Sequence, residues 1–236
     1  MIKALNIKDG IIQDGEIDGI PIKINIIEPK GKPNVRTLIP MTEVIGITNH
    51  NTGNSSPTAT DEMHAKYFQD IENTDTDYVS VHLFVDEDSI TQTVPLNEVT
   101  YHAGDGRGNG NYHTISIEIC ENGDITKAEL NAQKLNAALI LTYQKQGVNL
   151  KLYKHQDWSG KYCPHIILER PNGWDNFCDE IYYFVEQAEQ EQLPTWQLDG
   201  LNRLVEKGII NSPNYWIGRF KEPITVGELF GILGKM

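Results

Sequence analysis

Positive charge is scarce in this chain: 20 Lys and Arg residues stand against 33 Asp and Glu, a formal net charge of -13 at pH 7. Phosphate backbones are bound by basic surfaces, so the balance excludes nucleic acid as a partner. Long apolar runs are missing too. No segment approaches the roughly 18 apolar residues of a membrane-spanning helix, and no membrane partner is expected. The opening stretch Met1-Ile2-Lys3-Ala4-Leu5-Asn6-Ile7-Lys8-Asp9 breaks its apolar run too early for a secretory leader. Synthesis in the cytoplasm without a signal peptide is the expectation. Cysteine is sparse as well: the three present cannot all pair, and no disulfide framework is expected.

What is present reads as a soluble α/β protein. Apolar residues make up 39% of the chain and mean hydropathy is -0.42. A length of 236 residues suits one full domain and a small appendage. Ile22 through Ile27 reads as a strand, followed by a stretch punctuated by Pro29, Gly31 and Pro33. Val44 through Thr48 reads as a buried strand that gives way to the polar Asn49-His50-Asn51-Thr52. Ser80 through Val85 and Ile115 through Cys120 alternate in the manner of strands. Thr126-Lys127-Ala128-Glu129 reads as a capping box opening a helix striped by Leu135, Ala138, Leu139 and Tyr143 and closed by Gly147. Strands alternating with helices predict a mixed central β-sheet flanked by helices, with the site at the strand ends. The expected boundaries are a main domain over 1–185, a linker over 186–194 around Pro194, and a small helical module over 195–236. A second capping box, Thr225-Val226-Gly227-Glu228, falls inside that module.

The densest chemistry lies in His155-Gln156-Asp157-Trp158-Ser159-Gly160-Lys161-Tyr162-Cys163-Pro164-His165. Imidazole and thiolate are preferred zinc ligands, and a catalytic site uses about three protein ligands with one corner left for water. A further ligand must come from upstream. His50 and His82 both lie on strand-like runs; a strand end reaches a cleft without burying unpaired charge, which favours His50 and leaves His82 facing a wall of the site.

Five segments occur in an order that resembles the zinc-dependent N-acetylmuramoyl-L-alanine amidases of the type-2 group, the fold shared by phage endolysins, bacterial autolysins and peptidoglycan recognition proteins. They are Ile47 through Thr52, Ser80 through Val85, Tyr101 through Gly106, Ile115 through Cys120, and His155 through His165, spanning roughly residues 40 to 180. The resemblance implies Zn2+ bound by His50, His155 and Cys163, with Glu118 and Lys161 as the catalytic pair. It departs from the family at Asn49, where many members have a second histidine, and at Tyr101, where many have tryptophan.

The implied reaction is hydrolysis of the amide between N-acetylmuramic acid and the L-alanine of the stem peptide by a zinc-activated water. Glu118 would take the proton and pass it to the leaving amine, and Lys161 would stabilise the oxyanion. Strand alternation puts Ser116, Glu118 and Cys120 on one face and Ile115, Ile117 and Ile119 on the other. His82, His102 and Asp157 are expected as substrate contacts. A phage endolysin acting on the wall after release is the favoured reading, with a host autolysin of the same activity as the alternative.

The remaining candidates take plainer roles. His64 joins Tyr67, Phe68 and Ile71 on a helical stripe and reads as structural. His113 and His165 are not expected as ligands, Cys120 reads as a small buried hydrophobe, and Cys178 as helix core beside Trp174, Phe177 and Tyr182. Gly104 through Gly110 lacks the Gly-Lys-Ser/Thr ending of a phosphate cradle and reads as a loop. Residues 191–236 balance five acidic against five basic side chains, so the net charge resides upstream. The neutral module is expected to bind a secondary wall polymer, and it faintly resembles the helical anchoring modules of some clostridial lysins and S-layer proteins.

Overall fold

The computed structural model describes residues 2–30, 35–74, 78–191, 195–217, 219 and 223–235. Gly31, Pro33 and Pro194, expected as chain breakers, lie outside the described residues. The chain divides into two compact units, Met1–Ile181 and Tyr182–Met236.

The first unit opens with two hairpins, β1 (Ile7–Lys8) with β2 (Ile11–Ile12) and β3 (Glu16–Ile17) with β4 (Ile20–Ile24). Each turns on an Asp-Gly pair with positive φ, Asp9 at 53° with Gly10 at 77° and Asp18 at 50° with Gly19 at 80°. That is the chemistry of a type I′ turn, whose twist matches the strands it joins. Then follow β5 (Gly46–Asn51), α1 (Asp61–Glu72), β6 (Leu83–Val85), β7 (Ile90–Gln92), α2 (Asn109–His113), β8 (Thr114–Ile119), α3 (Ile125–Gln144), β9 (Lys151–Lys154), α4 (Gln156–Ser159), α5 (His165–Leu168) and α6 (Gly173–Glu191). Among the described residues, seven strands form one mixed sheet in the order β3-β4-β7-β6-β8-β5-β9. The centre, β6-β8-β5-β9, is parallel, as strands linked by helical crossovers require.

The two faces of this centre differ in chemistry. In β5 and β8 one face carries Thr48, His50, Ser116 and Glu118, while Ile47, Ile115, Ile117 and Ile119 point the other way and are fully buried. α3 packs against β8 and β6 and contributes Leu135, Ala138 and Leu139 to the core. α1 packs against β6 and β7, with Phe68 edge-on to Phe84 at a centroid distance of 5.0 Å.

Local elements differ from the sequence expectation, beginning with the strand expected over Ile22–Ile27, which spans Ile20–Ile24 as β4. α3 begins at Ile125 with Asp124 as its N-cap, the carboxylate accepting from the Lys127 amide; Thr126 lies inside the helix, and Glu129 instead pairs with Arg170. An acidic N-cap starts the helix as well as the threonine would, two residues earlier. The strand expected from Ser80 shortens to Leu83–Val85, because Ser80 and His82 bond outside the ladder. The polar stretch expected as a linker continues α6 as far as Glu191, since Glu, Gln and Ala are all good helix formers.

In the second unit, α7 (Thr195–Glu206), α8 (Pro213–Ile217) and α9 (Val226–Leu233) surround Leu201, Ile209 and Ile210. The Thr225–Glu228 capping box forms in full, and Glu228 also binds Arg219.

The pair that ties β5 to α3 is testable. Asn49 donates to Asn136 at 3.1 Å and receives from it at 2.9 Å, both side chains being fully buried. Asn136→Ala leaves the Asn49 amide without these partners, and an unsatisfied buried polar group costs about 1–3 kcal/mol. Urea denaturation should show a loss of that size; an unchanged midpoint would dismiss the tie.

Candidate active site

Parallel pairing sets β5 against β8 so that His50 stands directly opposite Glu118, and β6 against β8 so that Phe84 stands on its other side. Side chains in register share a face, so His50 and Glu118 meet because of backbone pairing alone. β9 lies along the other edge of β5 and delivers His155 at its end. The chain then makes one turn of helix, reverses at Gly160 with φ of 77°, and returns so that the Gln156 amide donates to the Cys163 carbonyl at 3.1 Å. This closed loop explains the eight-residue spacing between His155 and Cys163.

The three side chains converge. His50 Nδ1 lies 3.0 Å from His155 Nδ1 and 3.9 Å from Cys163 Sγ, and one ligand atom of each falls within 4.8 Å of the others. All three residues are buried. Two nitrogens each about 2.0 Å from one tetrahedral zinc stand about 3.3 Å apart, so the spacing suits a shared ion. Burial holds His50 well below the usual imidazole pKa and lowers His155 to about 4, so both rings are neutral and offer lone pairs. Burial also pushes the Cys163 thiol up to about 11, which a coordinated cation would reverse. The donor set therefore fits zinc.

Glu118 Oε1 lies 3.9 Å from His50 Nδ1, and Oε2 is buried with no hydrogen-bond partner. Burial raises the Glu118 carboxyl to about 8; Lys161 opposes the shift and Glu121 adds to it. Glu118 and Lys161 line a groove of about 570 Å³ together with Thr52, Met63, His64 and Tyr67.

The expected substrate contacts fare differently. His82 is fully buried, with Nδ1 2.9 Å from Ser116 Oγ and Nε2 2.8 Å from the Glu98 carbonyl, so it faces no groove. Its ring is a crosslink inside the sheet layer, and burial lowers it to about 4. His102 is buried against His50. Asp157 is occupied by Lys154, accepting from its amide at 3.0 Å and from its ammonium at 2.6 Å. His64, expected as structural, stacks on Phe84 at 5.1 Å, yet it lines the groove. Of the helical stripe that suggested a core position, Phe68 and Ile71 are buried, whereas Tyr67 is exposed and lines the groove with His64.

The other histidines and Cys120 lie outside the donor set. His113 Nδ1 bonds the Glu43 carbonyl, and His165 Nε2 lies 3.7 Å from Glu121. Cys120 packs with Phe68, Val81 and Phe84 in the core, where burial pushes its thiol upward. Asn49, the departure from the double histidine, points away from the site toward Asn136, so it leaves the donor set untouched.

The profile of the family described as N-acetylmuramoyl-L-alanine amidase matches residues 40–166. The chain belongs to this family. It is 43% identical over 133 residues to the N-acetylmuramoyl-L-alanine amidase XlyA of Bacillus subtilis (strain 168), covering 56% of this chain and 42% of XlyA. To CwlH of the same organism it is 41% identical over 139 residues, covering 57% and 52%. The chain thus spans about half the length of these curated relatives. The solved catalytic domain of XlyA superposes with a TM-score of 0.60 at 41% identity, covering 69% of this chain and 99% of that domain. The structure of PlyL superposes at 0.57 with 32% identity, covering 69% and 97%.

The buried carboxyl has a consequence for stability in the metal-free protein. Below about pH 4.5 Glu118 is protonated in both folded and unfolded chains; between there and about 8 the folded chain alone keeps the proton. The unfolded state binds fewer protons in that window, so this group's contribution falls as pH rises. The buried, lowered His50, His82 and His155 act in the opposite sense over the same window, so from about pH 5 to about pH 8 the urea midpoint of metal-free Glu118→Gln should rise more than that of wild type. Identical pH dependence in the two proteins would contradict a buried, raised carboxyl.

Proposed function

We propose that this chain hydrolyses the amide bond between N-acetylmuramic acid and the L-alanine of the peptidoglycan stem peptide, with Zn2+ held by His50, His155 and Cys163. The observation that carries the reading is the convergence of three buried metal donors beside Glu118, which shares a groove with Lys161, in a chain of the amidase family. A zinc ion in that donor set supplies Lewis acidity and lowers the pKa of a water toward about 7.

The chain's own residues do the rest. Glu118, with an unpartnered buried oxygen and a raised carboxyl that a bound cation beside it would bring down into the ionised form, is placed to accept the proton of the attacking water. It then returns that proton to the departing amine of L-alanine, so the carboxyl ends as it began. The Lys161 ammonium, which lines the same groove, stabilises the oxyanion of the tetrahedral carbon. Met63, His64 and Tyr67 wall the groove where the substrate extends. A phage lysin is the reading favoured by the likeness to a solved domain described as a mutant endolysin from Bacillus subtilis; a host autolysin would use the same residues.

The small C-terminal unit is the proposed anchor to a secondary wall polymer. It builds its own core and leaves Trp196, 71% exposed, and Phe230, 66% exposed, on its surface.

Glu118→Gln should abolish release of stem peptide while retaining stoichiometric metal, and Lys161→Met should lower kcat about 10²- to 10³-fold. Digested walls should gain free L-alanine amino termini and no reducing sugar ends, and chelation should stop the reaction. New reducing ends, or near-native turnover by Glu118→Gln, would refute the assignment. A chain truncated at Gln192 should bind walls more weakly than the full chain in a sedimentation assay; equal binding would remove the anchoring role.

A further inference from the structure

His102 stands in the second layer of the metal centre. Its Nδ1 lies 2.9 Å from His50 Nε2, and the two rings meet edge-on at 5.0 Å between centroids. His50 turns its other nitrogen, Nδ1, toward His155 and Cys163. A neutral imidazole has one N–H and one lone pair, and a metal ligand needs the lone pair at the coordinating atom. With Nδ1 committed to the donor set, the His50 proton sits on Nε2 and is donated to His102 Nδ1. His102 must then carry its own proton on Nε2. The two rings accordingly admit a single arrangement of tautomers.

The loop around His102 is built to hold this pose. Asn111 Oδ1 accepts from the amides of both His102 and Ala103 at 2.8 Å, and the Asn111 side-chain amide donates to the Gly106 carbonyl at 2.9 Å. Asp105 in turn accepts from the amides of Gly110 and Asn111. His102 itself is buried, with its ring directed at His50.

We infer that His102 is a positioning residue for the metal centre: by accepting the Nε2–H of His50 it fixes the ring and tautomer that aim His50 Nδ1 at the ion. The inference rests on the zinc assignment above. It goes beyond it by giving His102 a role in metal retention in place of substrate contact.

The test measures zinc affinity by competition with a chromophoric chelator, on the full chain and without substrate. Loss of an outer-layer partner typically weakens metal binding about 10- to 100-fold. His102→Ala should fall in that range. His102→Asn, whose Oδ1 can replace Nδ1 as acceptor at the same distance from the backbone, should recover most of the affinity, whereas the non-accepting His102→Leu should not. Comparing Asn with Leu keeps the test decisive if the alanine variant folds poorly. Wild-type affinity in His102→Leu, or equal affinities for Asn and Leu, would overturn the inference, as would a raised KM with zinc binding intact. A wild-type protein that binds zinc tightly yet leaves walls uncut would refute the proposed reaction while leaving this role standing.

Discussion

The parallel register of β5 against β8 is the constraint on which the rest of the molecule depends. It sets His50 opposite Glu118, and the same pairing holds β9 at the far edge of β5 so that His155 arrives from a third strand. A slip of one residue would exchange His50 for an asparagine and turn the ring into the aliphatic layer. The register is secured from both sides. Beneath the sheet, Asn49 locks to Asn136 among buried isoleucines; above it, Thr48 Oγ1 lies 2.8 Å from Thr114 Oγ1 and accepts from the Trp158 indole. These polar ties are specific to one alignment, whereas apolar packing would tolerate several.

The site joins groups whose ordinary behaviour is altered by burial in ways that suit a cation. Imidazoles are kept neutral, a thiol is kept protonated, and a carboxyl holds its proton to near neutrality. Each shift is mainly the cost of placing charge away from water, and a divalent ion held by these donors, with the Lys161 ammonium, would offset that cost for the anionic groups. The donor set, Glu118 and Lys161 are therefore one electrostatic unit.

Much of this was legible in the sequence for a simple reason: strand alternation and short-range spacing are written locally. The Ile115–Cys120 alternation placed Glu118 on the polar face, where the strand pairing has it, and the run from His155 to Cys163 forms its loop with its own backbone. Contacts that join distant segments were not legible. Nothing in the alternation of Ser80 through Val85 showed that His82 would be sealed between Ser116 and Glu98. The neighbourhood of His102 and His50, 52 positions apart in the chain, is likewise created only by the fold. The α3 start was missed by two residues because Asp124 and Thr126 both carry capping side chains, and sequence alone does not rank them. The Asp-Gly turns of β1–β2 and β3–β4 were written in the chain, but strands of two residues give too little periodicity to announce themselves.

The alternation along β5 and β8 also separates two kinds of inheritance. In β5 and β8, Ile47, Asn49, Ile115, Ile117 and Ile119 share the face toward α3, so changes there act on melting and folding; on the opposite face Thr48 and Ser116 hold neighbouring side chains in place while His50 and Glu118 stand at the candidate site. Because neighbouring residues in one strand answer to different selective demands, this sheet can drift in robustness without drifting in reactivity. The asparagine at position 49 is such a case, a residue immediately beside His50 that falls wholly on the structural side.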